Sequence, residues 1–195
     1  MRTLSPERRA RLLAAGEEAF AARGVGAATV EEITTAAGVA KGTFYLYFRS
    51  KDDLVVALRT RFSEELVAAM SADLVTEGEP DWFGRVGQLL ESARRAYLAH
   101  RPLLAAIADH DPAEPRGERD ADWPGRVVAP LTAFIEAGVA AGAFAVDDPP
   151  LTALMLFHAI DGLFHDALRQ PGDPDPQRVM AAAKGLVSRA LAGSR

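Results

Sequence analysis

Thr29–Leu54 reads TVEEITTAAGVAKGTFYLYFRSKDDL. Thr29 and Glu32 stand three apart, the spacing of a capping box, and predict a short helix from Val30 to Ala37. Gly38 breaks it, since glycine alone enters the left-handed turn conformation without cost. Small residues Ala36 and Ala37 beside the break allow close crossing with a second short helix, Ala40 to Tyr47. Ile33, Val39 and Phe44 supply the apolar side of the pair. Lys41, Gly42, Thr43 and Tyr45 are left at the exposed start of the second helix. Two short helices joined by a tight glycine turn describe a helix-turn-helix. Lysine and threonine donate hydrogen bonds to base edges or phosphates, and Gly42 lets backbone approach closely. Tyr47 and Lys51 follow one and two turns on, a hydroxyl and an ammonium suited to phosphates.

Outward from this stretch the pattern stays helical, with no alternating strand and no internal repeat. Ser5-Pro6 opens a first helix that faces Leu12, Ala15, Ala19 and Phe20 inward and ends near Gly24. Ser50 with Asp53 caps a long fourth helix carrying Leu54, Leu58, Phe62, Leu66, Met70 and Leu74, a stripe that needs a partner surface along its length. A fifth helix is expected near Trp82–Ala99 and a sixth from Pro102 to His110. The stretch Asp111–Asp122, DPAEPRGERDAD, is polar and rich in breakers, and reads as a loop. A seventh helix (Val127, Leu131, Phe134, Ile135, Val139) stops at Gly142. Asp148-Pro149 and Asp175-Pro176 open an eighth and a ninth. These bear Leu151, Leu154, Met155 and Leu168, then Val179, Ala183, Leu186, Val187, Ala190 and Leu191. The expectation is an all-α chain: a three-helix head over 1–50, with its helix-turn-helix at about 29–48, and a six-helix body over 51–195.

Composition narrows the class. The 195 residues are 49% hydrophobic and 25% charged, an ordinary globular balance. Cysteine is absent, which removes disulfides, thiol catalysis and Cys-ligated zinc and suits a reducing cytoplasm. No stretch reaches the roughly 18 uninterrupted apolar residues of a membrane span, and the N-terminus lacks signal-peptide character; a soluble, cytoplasmic chain is expected. Net charge is −5, but residues 1–51 carry +3 and the remainder −8. A basic head on an acidic body can meet phosphates locally.

The stretch resembles the tetracycline-repressor (TetR) family of bacterial regulators. The resemblance rests on Phe20, Gly24, Thr29, Ile33, Ala37-Gly38-Val39, Lys41-Gly42-Thr43, Tyr45, Tyr47-Phe48, Ser50-Lys51 and Leu54, about the first third of the chain. Asp161-Gly162 on the eighth helix adds a weak match. The resemblance implies a DNA-binding head, a ligand-binding body, and a homodimer paired through helices eight and nine. It places Lys41, Gly42, Thr43 and Tyr45 towards the major groove of operator DNA and has Thr29, Tyr47 and Lys51 clamp the backbone. Thr34 departs from the family's usual alanine at the helix crossing. Ala40 departs from the usual serine or threonine cap, a change that costs about 0.5–2 kcal/mol of local stability.

Other readings compete. His158, Asp161 and His165 lie at i, i+3 and i+7 and suggest metal ligation or acid/base chemistry. Zinc spacings are absent, and these residues are assigned instead to the dimer interface with Leu186 and Leu191. Phe62, Trp82, Phe83, Tyr97, Trp123, Phe134 and Phe157 either line an effector pocket or form ordinary core. The expected function is a homodimeric repressor on a palindromic operator, released by a small apolar or amphipathic effector, with no enzymatic activity and no cofactor. Its rivals are an all-helical enzyme or metal-binding protein using His158, Asp161 and His165, and an interaction module whose helix-turn-helix does not bind DNA.

Overall fold

The computed structural model describes residues 4–74, 81–108, 110, 123–169 and 175–193. Among them the chain forms nine helices and no strand: α1 (Pro6–Ala27), α2 (Val30–Ala36), α3 (Lys41–Tyr47), α4 (Lys51–Leu74), α5 (Trp82–Ala99), α6 (Arg101–Ala108), α7 (Trp123–Ala140), α8 (Pro149–Arg169) and α9 (Pro176–Ala192). The all-α expectation holds. The loop expected at Asp111–Asp122 lies outside the described residues, as do the side chains of Leu74, Trp123 and Leu168.

Local chemistry sets the boundaries. Ser5 accepts from the Arg8 amide and Pro6 follows it, so the first turn is capped where the sequence suggests. Gly24 takes φ 75° and kinks α1 near its end. The α4 start is reciprocal: Ser50 Oγ accepts from the Asp53 amide at 3.2 Å, and Asp53 Oδ2 accepts from the Arg49 amide at 2.8 Å. Asp148 and Asp175 accept from the Leu151 and Gln177 amides and cap α8 and α9. Gly142, at φ 72°, ends α7 with the Ala143 amide returning to the Gly138 carbonyl.

Packing groups the residues into two compact units. The first holds Met1–Phe62 and His100–Ala121, the second Ser63–Ala99 and Asp122–Arg195. In the first, α1 packs on α2 and α6, and α2 on α3. Leu12, Phe20, Ile33, Phe44, Leu54 and Leu58 are fully buried there, and each contributes about 1.5–3 kcal/mol by leaving water. Helix α6 is also tied by polar contacts, since His100 meets Glu17 at 3.3 Å, His110 meets Asp52 at 2.7 Å, and Arg59 donates to the Ile107 carbonyl. That role for α6 has no signature in sequence spacing. In the second unit α7 packs on α8, and α9 on α5 and α8. The α4 stripe is buried from Leu54 through Met70, so one helix supplies core to both units.

Candidate nucleic-acid interface and effector cavity

The turn between α2 and α3 is a Schellman motif. Gly38 has φ 64°, its amide bonds the Thr35 carbonyl at 3.1 Å, and the Val39 amide bonds the Thr34 carbonyl at 3.0 Å. A residue with a Cβ would be strained at that φ. Helix α2 is entered through the expected capping box, with the Glu32 amide donating to Thr29 Oγ1 and the Thr29 amide to Glu32 Oε2. The Thr29 amide and hydroxyl both donate to Glu32 Oε2 and, with Arg23 nearby, hold the Glu32 carboxyl below its ordinary value. Thr34 fits the crossing because its hydroxyl donates back to the Val30 carbonyl at 2.9 Å while its carbon atoms are buried. Ala40 gives α3 no side-chain cap.

Helix α3 therefore hangs on its apolar face. Phe44 is fully buried and Phe48 nearly so, their rings 5.5 Å apart. The opposite face is open: Lys41 and Gly42 are exposed, Thr43 half-buried, Tyr45 54% and Leu46 63% exposed. Lys41 makes only a loose contact with Glu31, 3.6 Å between largely exposed side chains, a pair worth little and easily exchanged for a phosphate. Leu46 was not among the sequence candidates. Its place about 200° around the helix from Phe44 was the available signal.

The remaining head candidates are engaged within the protein. Thr29 is exposed but its hydroxyl serves the capping box. The Tyr47 hydroxyl accepts from the Ser5 amide at 2.9 Å and donates to the Ser5 carbonyl at 3.1 Å. Lys51 donates to the Val25, Gly26 and Ala28 carbonyls, so its three hydrogens are met at the end of α1. Tyr47 and Lys51 thus fasten α1 to the helix-turn-helix, at sequence distances of 42 and up to 26 residues.

In the second unit a cavity of about 90 Å³ lies among α4, α5, α7, α8 and α9. Leu66, Val86, Phe134, Phe157 and Val187 are among its apolar walls, and among the described residues Tyr97 and Asp161 border it. Of the aromatic candidates, Tyr97, Phe134 and Phe157 reach it. Trp82 and Phe83 pack instead against Phe144, and Phe62 against His100. Tyr97 donates its hydroxyl hydrogen to Asp161 Oδ1. Burial, then the Asp161 charge, push the Tyr97 pKa up, so it stays a donor.

The assignments on α8 and α9 divide. His158 is exposed beside Leu151, Leu154 and Met155, and Leu186 is exposed on α9. Asp161 borders the cavity, its side chain 17% exposed and its carboxylate met by Tyr97 and by His165 at 3.3 Å. Leu191, 1% exposed, is buried within the second unit. Among the described residues no three His, Asp or Glu side chains gather as a metal site. No described helix is long and apolar enough to cross a membrane.

The comparisons agree with this geometry. Residues 12–58 match the family model described as bacterial regulatory proteins, tetR family. The HTH-type transcriptional activator FasR of Mycolicibacterium smegmatis is 41% identical over 70 residues, 36% of this chain and 32% of FasR. The match thus spans about a third of that relative's length. A tetR-family regulatory protein from Rhodococcus RHA1 superposes with a TM-score of 0.67 at 26% identity, over 98% of this chain and 100% of that one. FadR from Bacillus subtilis, solved in complex with stearoyl-CoA, gives 0.74 at 19% identity over 94% and 99%. Its helix-turn-helix head thus matches the tetR family of bacterial regulatory proteins over residues 12–58, and the described residues share the all-helical fold of a tetR-family regulatory protein along the length of the chain.

Proposed function

We propose that the chain is a homodimeric repressor that sets α3 in the major groove of a palindromic operator and is released by a small, largely apolar effector. The observation that carries the reading is the open face of α3. A short helix anchored through the buried Phe44 leaves Lys41, Tyr45 and Leu46 exposed at its other side, with Thr43 half-buried beside them. Donors beside apolar groups are what a groove wall of base-edge acceptors and thymine methyls recognises. Thr29 remains a candidate backbone contact, and Tyr47 and Lys51 act by holding the head's shape. This functional division places DNA binding in residues 1–50 and effector binding and pairing in 51–195.

Pairing is assigned to α8 and α9. Leu151, Leu154, Met155 and His158 share one exposed stripe on α8, and Leu186 adds to it from α9. Exposed apolar stripes of this kind mark self-association surfaces. The cavity is the effector site, since its walls are almost wholly apolar, as a pocket for a small apolar molecule requires. The relative FasR is named an activator, so the sign of regulation is read from transcription itself. Selection of binding sites from random duplexes, followed by in vitro transcription on the selected site, tests the reading. A palindromic site and reduced transcription are expected. Binding that shows no sequence preference removes the proposal and favours an interaction module.

A further inference from the structure

The cations of the first unit divide into two groups. Arg23 is paired with Glu32, Arg61 with Glu17, and Lys51 donates to the carbonyls at the end of α1. Arg8, Arg9 and Arg49 are exposed, and among the described residues none of the three is paired with a carboxylate. They gather at one end of α3. The two bonds between Ser5 and the Tyr47 hydroxyl set the first turn of α1 against the last residue of α3. The Arg9 guanidinium lies 5.7 Å from the centre of the Phe48 ring, and Arg49 is the next residue along the chain. Arg8 stands beside Arg9 at the start of α1. The N-terminal turn of a helix is the positive end of its dipole, where a cation is disfavoured. Cations placed against that local preference, close to a third and without a counter-charge, are accounted for by an anion from outside.

We propose that Arg8, Arg9 and Arg49 form the phosphate-binding site of the head, gripping the DNA strand that borders the groove at the C-terminal end of α3. The inference rests on the DNA-binding reading of the head. It supplies backbone contacts that Tyr47 and Lys51, engaged within the protein, leave unfilled. The seven residues of α3 span about 10 Å. A helix of that length seated in a groove about 12 Å wide brings its end to the bordering phosphates. The planar guanidinium can meet two phosphate oxygens at once. Phe48 holds the Arg9 guanidinium over its ring before any DNA arrives, so less freedom is lost when the phosphate binds. Contacts of this kind fix the position of α3 and carry no base preference.

The test uses the whole protein and a fluorescein-labelled pool of random-sequence DNA duplexes, with binding followed by anisotropy between about 50 and 200 mM salt. Arg8→Gln and Arg49→Gln should each flatten the slope of log affinity against log salt by about 0.9 for every protomer bound, with melting temperature unchanged. Arg9→Gln should flatten it equally, and Arg9→Lys, which keeps the charge, should restore it. Arg178→Gln removes the same charge from an exposed position of α9 in the second unit. It should leave the slope alone, which separates a local contact from a change in net charge. Slopes unmoved by Arg8→Gln and Arg49→Gln overturn the inference, as do slopes moved equally by Arg178→Gln. Salt-sensitive binding that depends on the arginines but shows no sequence preference upholds the inference and removes the repressor reading. Sequence-specific binding whose slope ignores the arginines overturns the inference and leaves that reading standing. If the unaltered protein binds neither the pool nor any duplex selected from it, both fall.

Discussion

The Lys51 ammonium lies 2.6 Å from the Val25 carbonyl oxygen and 2.7 Å from that of Ala28, at the end of α1. Carbonyls at a helix C-terminus carry partial negative charge, and a cation there stabilises them. Lys51 therefore joins the first turn of α4 to the last turn of α1.

Lys51→Ala should lower stability by about 1–2 kcal/mol, towards the low end for hydrogen bonds to a charged group because the site is half open to water. Operator affinity should fall with it, while the slope of log affinity against log salt stays the same. A direct phosphate contact behaves differently, since each one lost flattens that slope by about 0.9. Salt titration of binding by the variant separates the two roles. A flattened slope with unchanged melting temperature would return Lys51 to the DNA.

Tyr47→Phe and Tyr45→Phe make a matched pair. The first removes both hydrogen bonds to Ser5 and should cost about 1 kcal/mol with the same preferred bases. The second removes a hydroxyl from a 54% exposed ring and should leave stability within about 0.5 kcal/mol while shifting base preference. Thr43→Ala and Leu46→Ala should also shift preference. Denaturant melts and site selection on each variant check the assignment, and unchanged preferences at Thr43, Tyr45 and Leu46 alike would remove it.

Much of this was legible beforehand, for a physical reason. Capping boxes, proline at helix starts and glycine at helix ends act over three to six residues, so Thr29/Glu32, Ser50/Asp53, Gly38 and Gly142 could be placed from spacing. The α4 stripe followed from period alone. What spacing does not encode is the partner of a long side chain. Tyr47 and Lys51 stand beside a recognition helix, and a donor there suggests phosphate; the Ser5 and Val25 backbones that engage them lie 42 and 26 residues away. Leu186 and Leu191 look alike in an apolar terminal helix, yet one is 41% and the other 1% exposed. Five residues turn a helix by about 500°, enough to put them on different sides.

The Glu32 carboxyl makes the head sensitive to acid. Bonds from Thr29 and the nearby Arg23 lower its pKa below the ordinary value near 4.5. Its contribution is therefore present above about pH 4.5 and is lost as pH falls through the lowered value. Glu32→Gln can still accept from the Thr29 amide but does not titrate, so its melting temperature should fall less steeply with acid than that of the unaltered protein. Parallel curves for the two would show that Glu32 does not contribute to the acid limb.

Leu186 and Leu191 should respond in opposite ways. Leu186→Glu, like Met155→Glu, places a charge in the proposed seam and should yield folded monomers with poor operator affinity. Leu191→Ala empties a buried site and should cost about 2–5 kcal/mol without a specific loss of pairing. Sedimentation and circular dichroism on the same samples distinguish the cases. An unaltered protein that sediments as a monomer at micromolar concentration would end the dimer proposal.

Effector binding and operator binding should oppose each other, and α4 is the element expected to link them. Its residues Leu54 and Leu58 are buried in the first unit, and Leu66 and Met70 line the cavity in the second. Since α4 contributes residues to both units, a ligand that shifts Leu66 and Met70 is expected to be felt at Leu54. Two heads of a dimer must meet successive major grooves about 34–36 Å apart, and a small change in their spacing spoils simultaneous engagement. A coupling of about 1–3 kcal/mol changes affinity roughly 5–150-fold. Any ligand that raises the melting temperature through the cavity should therefore weaken operator binding within that range, and operator should weaken the ligand by the same factor. Met70→Trp, which fills the cavity from the α4 side, should abolish the ligand's effect on DNA. Calorimetric titration of ligand with and without operator measures the coupling from both directions. Equal ligand affinity in the two titrations would mean that the cavity and the head are not linked.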